Sequence, residues 1–264
     1  SFRQNVSLVS FLKSKGKDLS TSVFDKKMSL YKDANITFVG CSRWLSGRAK
    51  KSYLLRGKAV LSIPNPIDTK VYHPMDQGMA RELLGLPSGK RLLLFGALNV
   101  TDKRKGIDYL IEALRRMEKQ DVELVVFGQV KDDIRGLFPV PIHSMGYLSD
   151  ESKIVALYNA VDMFITSSLE ENLPNTIMES MACGTPCVGF EIGGIPEMID
   201  HRVNGYVANY KDAGDLANGI QWVLEHEDRL ALSDACVKKV QENYTEEVVA
   251  KQYTALYEKL LKGE

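Results

Sequence analysis

Two glutamates eight residues apart are the first candidates for chemistry in this sequence. Glu171 follows an apolar, β-branched run at 162–168, and Glu179 lies within a helix-period segment at 176–183. We expect Asn175 to cap that helix, so that Glu171 lies ahead of its positive end. Carboxylates beside an anion site are useful when they accept hydrogen bonds from hydroxyl groups, as a sugar ring and a ribose present. The stretch therefore favours a nucleotide-sugar site.

The segments around these glutamates form a βαβ pattern. Gly184 and Pro186 end the helical segment, and a second apolar run at 186–190 follows at once. Parallel strands joined by a helix bind ligands at the carboxyl ends of the strands. We therefore expect Glu171 and the start of the helix to lie at that edge of a sheet.

The wider context of the two glutamates resembles a known family signature. Seven residues separate Glu171 from Glu179, and Ser-Met-Ala-Cys-Gly-Thr-Pro follows at 180–186. This resembles the E-x7-E signature of the retaining, metal-independent glycosyltransferases of the GT-B fold, of the family 4 type. The chain departs from the family pattern at Ser180, where alanine is usual, and at Cys187, where valine is usual. The alternative is that Glu179 is a solvated helix residue and Glu171 an ordinary loop charge.

A loop at 96–106 carries the other candidates. In the family, an arginine and a lysine of this loop bind the donor diphosphate. Lys105 and the glycine after it match the family's Lys-Gly, whereas the arginine position is Ala97. Arg104 is the candidate for the second positive charge, and the alternative for 103–105 is an ordinary solvated loop. A preorganised group that stabilises developing charge typically contributes ~2.7–4 kcal/mol.

The resemblance implies a role for each site residue. Glu171 would accept hydrogen bonds from the donor sugar, and Glu179 would bind the ribose 2′- and 3′-hydroxyls through both carboxylate oxygens. Backbone N–H groups at 173–176 would meet the phosphates or the sugar, and the base would lie against backbone at 146–148. The implied catalytic residues are Glu171, Lys105 and Arg104. The implied nucleotide-binding residues are Glu179, Leu173, Pro174, Asn175, Thr176, Gly96 and Leu148.

Other cofactor signatures are missing from the sequence. It contains no Asp-x-Asp and no G-x-G-x-x-G, and its four histidines lie far apart. We therefore predict no metal ion and no cofactor besides a nucleoside-diphosphate sugar as donor substrate. The Gly-Gly-Ile-Pro-Glu turn at 193–197 also fits the family, and we interpret it as structural because glycine and proline there begin a helix.

From residue 91 onward, short apolar runs alternate with helical stretches. This alternation predicts an α/β fold, a Rossmann-like parallel sheet with helices on both faces. By resemblance, it is the C-terminal domain of a GT-B glycosyltransferase. We predict strands at 92–98, 122–127, 142–147, 162–168, 187–190 and 205–208. We predict helices at 107–117, 151–160, 176–183, 212–225, 229–244 and 245–262.

The charge distribution indicates two bodies. Residues 1–64 carry 13 Lys/Arg and 3 Asp, whereas residues 65–264 carry 21 Lys/Arg and 31 Asp/Glu. We predict that 1–64 is a remnant of the N-terminal acceptor domain and its hinge, and that 65–244 is the donor-binding domain. The helix at 245–264 would cross back to the N-terminal half. Within the remnant we predict strands at 36–40 and 59–63 and a helix at 42–55.

A complete enzyme of this kind needs two domains of ordinary size, about 350 residues or more. We therefore expect a truncated chain, inactive or weakly active by itself. Apolar residues of the last helix are then expected to be underburied. These are Val248, Tyr253, Leu256, Tyr257 and Leu260.

Composition limits the location and partners. The chain is 44% hydrophobic and 26% charged, and no apolar run approaches the ~18–20 residues of a membrane span. Its four cysteines show no C-x-x-C pair, which favours free thiols in the cytoplasm. Residues 43–58 contain six basic residues and no acidic one, which leaves open a patch for the inner membrane face. We favour an ordinary surface helix, and predict no nucleic-acid partner.

The main hypothesis is a retaining, metal-independent hexosyltransferase of polysaccharide biosynthesis. It would move a hexose from a nucleoside-diphosphate sugar to a saccharide or lipid-linked acceptor. The alternative is a nucleotide-sugar-binding module without turnover, and a related hydrolase of the epimerase kind is a third possibility. UDP, GDP and ADP donors share every feature above, so the base, the sugar and the acceptor stay open.

Overall fold

A small βαβ unit opens the described part of the chain. The computed structural model describes residues 19–99, 102–117, 121–129 and 135–263, so residues 1–18 of the predicted remnant lie outside the described residues. The unit comprises α1 (Leu19–Lys32), β1 (Thr37–Gly40), α2 (Arg43–Lys50), a 3₁₀ turn (Tyr53–Leu55) and β2 (Ala59–Ser62). β1 and β2 pair in parallel. The Ser46 hydroxyl of α2 donates a hydrogen bond of 2.7 Å to the carbonyl of Leu61, which holds the helix on the strands.

A second, six-stranded sheet forms the main body. Its strands are β3 (Arg91–Asn99), β4 (Val122–Gln129), β5 (Ile142–Gly146), β6 (Met163–Thr166), β7 (Cys187–Phe190) and β8 (Gly205–Ala208). They lie in the order β5-β4-β3-β6-β7-β8, and every pair is parallel. The chain winds outward from β3 to one edge, then returns to β6 on the other side of β3. This reversal is the topological switch point at which α/β sheets bind ligands.

Helices cover both faces of this sheet. They are α3 (Gln77–Leu84), α4 (Ile107–Arg116), α5 (Glu151–Ala160), α6 (Asn175–Ala182), α7 (Ile195–Met198), α8 (Ala213–Leu224), α9 (Arg229–Asn243) and α10 (Glu246–Leu261). Alternate residues of β3 serve the two faces: Leu92 and Leu94 join one apolar core, and Leu93 and Phe95 join the other. The predicted Rossmann-like α/β fold, with helices on both faces of a parallel sheet, is confirmed.

Side-chain caps explain where many of the helices begin. The side chains at the N-cap positions of α2, α3, α5, α8, α9 and α10 each accept a hydrogen bond from a first-turn amide. The capping residues are Ser42, Asp76, Asp150, Asp212, Asp228 and Thr245. The strands of the six-stranded sheet lie within two residues of their predicted bounds, and so do the helices α4, α5, α6, α8, α9 and α10.

One predicted helix is shorter in the structure, and two helices of the structure were not predicted. The helix predicted at 42–55 ends at Lys50, and a separate 3₁₀ turn follows, because the chain turns at 51–52. The helices α1 and α3 were not predicted. No residue of α1 is fully buried, and only Phe24, Met28 and Tyr31 form a short, half-buried apolar stripe. α3 is only eight residues long with a glycine in its first turn. In the described part of the chain, no helix has the length and apolarity needed to cross a membrane.

The last helix packs against the junction between the two sheets. Ile63 forms a small apolar cluster with Val249 and Leu256 of α10, and Tyr253 packs at its edge. The prediction that Leu256 is underburied is therefore wrong, because Ile63 supplies a partner for it. Tyr257 and Leu260 are exposed, as predicted. The division into three parts at 64 and 244 stays a prediction.

Candidate active site

The candidate residues lie at the carboxyl ends of β3 and β6, on either side of the switch point. A 3₁₀ turn at Lys103–Lys105 follows β3, and the polar segment 167–174 follows β6. The Leu169 amide donates to the Arg104 carbonyl at 2.7 Å, and the Ser167 hydroxyl donates to the Lys105 carbonyl at 3.0 Å. The loops after the two strands are therefore joined by hydrogen bonds. Glu171 lies at the carboxyl edge of the sheet, as the βαβ pattern predicts.

Gly106 allows this close approach. Its φ is 62°, and a Cβ atom there would lie 2.0 Å from the Ser167 carbonyl oxygen. No other residue fits this backbone without moving the segment after β6. The glycine of the Lys-Gly pair is thus required by the turn itself.

Lys105 and Glu171 form an ion pair across the switch point. Lys105 Nζ lies 2.5 Å from Glu171 Oε1, and the two side chains are 33% and 15% exposed. The pair places a cation and a carboxylate, both partly shielded from water, side by side at the carboxyl edge of the sheet. Such a pair can meet a phosphate with its cation and a sugar hydroxyl with its carboxylate.

Arg104 has a different partner. Its guanidinium donates three hydrogen bonds to Asp102, of 2.6, 3.1 and 3.2 Å, and its side chain is 68% exposed. The Arg104 hydrogen bonds hold the pKa of Asp102 down to about 2. Arg104 is thus already bound to Asp102 within this turn, and its predicted catalytic role stays a prediction. The side chain of Ala97, the position where the family has arginine, lies outside the described residues.

Two glycines support the backbone of Glu171. A Cβ on Gly193, whose φ is 60°, would lie 2.0 Å from the Glu171 carbonyl oxygen. The Gly194 amide donates to the Asn172 carbonyl at 2.5 Å. The turn at 193–197 is structural in this sense, and α7 begins there at Ile195, as the sequence analysis expected.

The helix after Glu171 begins one residue earlier than predicted. α6 starts at Asn175, Pro174 occupies the N-cap position, and no side chain caps the helix. Asn175 is therefore not the cap, because proline, with its fixed φ and no N–H, occupies that position instead. The N–H groups of Asn175 and Thr176 have no acceptor within the helix and are available to an anion. Leu173 is buried beneath them in the core.

Glu179 lies on the second turn of α6 and is held by a buried tyrosine. The Tyr158 hydroxyl donates to Glu179 Oε2 at 2.8 Å. Burial raises the pKa of Glu179, the nearby Glu151 raises it further, and the Tyr158 hydrogen bond lowers it. Tyr158 was not predicted as a site residue, since it lies in an apolar helical run that is typical of core residues.

The two remaining predicted residues border the same edge. Gly96 lies near the end of β3, where a Cβ would be 1.9 Å from the Phe127 ring, so packing alone requires glycine there. Leu148 follows β5, which ends at Gly146 with a φ of 64°, and it packs partly buried against the core. Their contact with a nucleotide base stays a prediction.

The small N-terminal unit also touches the segment that carries Glu171. The Ser42 hydroxyl donates to Asn172 Oδ1 at 2.5 Å, and Asn172 Nδ2 donates to the Cys41 sulfur at 2.9 Å. The Glu197 carboxylate accepts from the amides of Arg43 and Trp44, at 2.8 and 2.7 Å. Neither contact was predicted, because the partners are more than 120 residues apart and no local pattern joins them.

Within the described ranges, no group of three or more His, Cys, Asp or Glu side chains is arranged to hold a metal ion. The candidate site contains two carboxylates, one bound to lysine and one to tyrosine. A diphosphate at this edge would meet Lys105 and the N-terminus of α6.

Comparison with known proteins identifies the family. The family described as "Glycosyl transferases group 1" matches residues 89–226. The chain belongs to this family. The match covers the strands from β3 to β8 and therefore includes both loops of the candidate site.

Two curated relatives and one solved structure show the range of similarity. The N-acetyl-alpha-D-glucosaminyl L-malate synthase of Bacillus anthracis is 24% identical over 213 residues, covering 78% of this chain and 55% of the relative. The N,N'-diacetylbacillosaminyl-diphospho-undecaprenol alpha-1,3-N-acetylgalactosaminyltransferase of Campylobacter jejuni is 33% identical over 118 residues, covering 44% of this chain and 31% of the relative. The chain spans about half the length, or less, of these curated relatives.

The structure of Anabaena Alr3699/HepE in complex with UDP-glucose superimposes with a TM-score of 0.73. It is 19% identical, and the alignment covers 91% of this chain and 68% of that protein. This likeness shows the fold, which is that of a GT-B glycosyltransferase.

Proposed function

We propose that this chain is the donor-binding part of a hexosyltransferase that uses a nucleoside-diphosphate sugar, retains the anomeric configuration and needs no metal ion. The observation that carries the proposal is the Lys105–Glu171 pair at the switch point, beside the N-terminus of α6. A cation and two available N–H groups can bind a diphosphate, and the carboxylate beside them can accept a hydrogen bond from the attached sugar.

Each group has a part in the proposed reaction. The bond between the sugar's anomeric carbon and the diphosphate oxygen breaks, and a new bond forms from the acceptor hydroxyl oxygen to the same carbon. The departing phosphate takes the acceptor's proton, so no protein base is needed. Lys105 and the N–H groups of Asn175 and Thr176 stabilise the charge on the departing diphosphate, and a group of this kind typically contributes ~2.7–4 kcal/mol. Glu171 orients the sugar through its hydroxyls.

The similar proteins suggest the first substrates to try. HepE was crystallised with UDP-glucose, and the Campylobacter relative is named for a diphospho-undecaprenol acceptor. We therefore propose UDP as the first nucleotide to test and a saccharide or lipid-linked molecule as acceptor. A cytoplasmic location, at the inner membrane face where the acceptor is lipid-linked, is part of this proposal.

Calorimetric binding and thermal melts of the 264-residue chain test the donor site. We expect UDP, GDP or ADP, but not NAD, to stabilise the chain, by ~2.7 kcal/mol at 100 times its dissociation constant. Glu179→Gln keeps the side-chain shape, and should weaken nucleotide binding about tenfold because it removes a charged hydrogen-bond acceptor. If no nucleoside diphosphate binds, or if Glu179→Gln binds it equally well, the proposed donor site is wrong.

Turnover separates the transferase from a binding module. Slow release of glucose from UDP-glucose, unchanged by EDTA and giving first the α-anomer in NMR spectra, is the expected result. β-Glucose as the first product would contradict retention, and loss of turnover with EDTA would contradict metal independence. Binding with no turnover, even with added saccharides, would favour the nucleotide-sugar-binding module instead.

A further inference from the structure

We propose that Tyr158 is a positioning residue for nucleotide binding: its buried hydroxyl fixes the carboxylate of Glu179 so that Oε1 stays free to accept a hydrogen bond from the ribose. This inference rests on the proposed function, since it assumes that Glu179 meets the ribose. It assigns the role to a residue that no ligand touches.

The surroundings of Tyr158 make its hydroxyl a fixed donor. The side chain is 1% exposed, and its ring packs edge-on against Phe127 and Phe164, with centroids 6.2 and 6.0 Å apart. The Thr185 hydroxyl, between α6 and β7, donates to the Tyr158 carbonyl at 2.7 Å. The ring therefore cannot turn away, and the hydroxyl points at the position of Glu179 Oε2.

The two oxygens of Glu179 are thereby given different tasks. Oε2 accepts from Tyr158, and among the described residues no donor is found for Oε1. A carboxylate anchored at one oxygen presents the other in a single orientation, so less side-chain entropy is lost when a ligand hydroxyl binds. This arrangement differs from the expectation that both oxygens are shared by the ribose hydroxyls.

The hydroxyl also favours the ionised form of Glu179 in surroundings that oppose ionisation. Tyr158 and Glu151 face it from α5, Tyr72 from the segment before α3, and Cys183 from the end of α6. Burial and the negative Glu151 raise the pKa of Glu179, and the Tyr158 hydrogen bond opposes that rise. Removing the hydroxyl should therefore raise the pKa of Glu179 further. Nucleotide binding that needs the ionised carboxylate would then be lost at a higher pH on acidification.

The test compares two tyrosines with the same local chemistry. The Tyr206 hydroxyl of β8 also donates to a carboxylate, Asp215 Oδ1, at 2.8 Å, and its ring is also buried. We expect Tyr158→Phe to weaken UDP binding about tenfold, or GDP or ADP binding if one of these binds better. Tyr206→Phe should leave binding within twofold. A merely structural role for Tyr158 predicts similar small effects of both changes.

Two readouts show whether Tyr158 acts through Glu179. Preference for the nucleotide over its 2′-deoxy form should fall in Tyr158→Phe, and the pH at which affinity declines on acidification should rise. Tyr158→Phe combined with Glu179→Gln should bind no more weakly than Glu179→Gln alone. Full additivity of the two losses, or an unchanged pH profile in Tyr158→Phe, overturns the inference.

The failure of this inference can be told apart from the failure of the proposed function. If Glu179→Gln weakens binding and Tyr158→Phe does not, only the positioning role is wrong. If neither change matters, the ribose role of Glu179 is wrong as well. Should Tyr158→Phe fail to fold, the hydroxyl proton of Tyr158 in the unaltered chain is followed by NMR. Its signal should shift when nucleotide is added, while that of Tyr206 stays fixed, and no shift at Tyr158 overturns the proposal.

Discussion

Lys103 and Lys105 carry the same charge two residues apart, but their surroundings differ. Lys105 is half-buried and contacts Glu171, whereas Lys103 is exposed and has no ion-pair partner among the described residues. The resemblance of the sequence to the family implied both Lys105 and Glu171 as site residues, and the βαβ pattern predicted Glu171 at the carboxyl edge of the sheet. It did not show that they touch, since a contact between side chains 66 residues apart depends on the lengths of both loops.

Substitution of each lysine by glutamine shows whether UDP affinity depends on the position of Lys105 or only on the summed charge of the turn. Lys105→Gln should weaken UDP binding about tenfold, because a charge-assisted hydrogen bond is lost and Glu171 then faces the diphosphate unpaired. Lys103→Gln removes the same charge from the same turn, and should change affinity less than twofold. Calorimetry at one fixed salt concentration measures both. Equal losses would mean that the loop attracts the anion only by its summed charge.

Among the elements, α2 depends on a carboxylate from outside its own unit. Ser42 caps the helix locally, and Glu197 of α7 accepts from the next two amides, at 2.8 and 2.7 Å. A carboxylate at a helix N-terminus accepts hydrogen bonds from the free N–H groups and interacts favourably with the positive end of the helix dipole. Docking of the N-terminal unit beside the Glu171 segment is therefore coupled to Glu197.

Glu197→Gln should loosen this contact without unfolding the sheet. We expect a loss of about 1 kcal/mol in the stability of α2, seen as roughly fivefold faster hydrogen exchange at the amides of Arg43 and Trp44. Glu191→Gln is the matched control, because Glu191 lies directly after β7, is exposed and accepts no hydrogen bond from a described residue. If exchange at the two amides rises equally in both variants, Glu197 does not hold the helix.

The bounds of helices and strands were predicted most accurately where the local sequence pattern is strongest. β7, β8 and α5 have the predicted bounds, because apolar runs and a capping aspartate mark their ends. α1 has no fully buried residue, and its half-buried Phe24, Met28 and Tyr31 form only a short apolar stripe, too weak to identify the helix from sequence. The cap of α6 was misplaced by one residue because proline and asparagine both suit a helix start.

For the whole molecule, the buried Asp162 joins the ends of several elements. It lies just before β6, is 3% exposed, and accepts from the Leu92 amide at 2.7 Å. Three arginines meet it: Arg81 of α3 at 3.0 Å, Arg91 of β3 at 3.5 Å, and Arg229 of α9. This cluster lies at the amino ends of the strands, opposite the candidate site. The sequence predicted the strand beside Asp162 but could not reveal partners brought together by the folded sheet.

Asp162→Asn tests whether this cluster stabilises the fold independently of the site. Asparagine can still accept from the Leu92 amide, but it leaves the buried Arg81 without a counter-charge, which typically costs 3–5 kcal/mol. For a chain of this size, a melting temperature lower by on the order of 10 °C should result. Asp121→Asn breaks the exposed pair with Lys90 and should cost about 0–1 kcal/mol. Nucleotide affinity, measured well below both melting temperatures, should be unchanged in each variant, because the cluster and the site lie at opposite ends of the strands. Weaker binding in Asp162→Asn alone would mean that the amino ends of the strands are coupled to the nucleotide site.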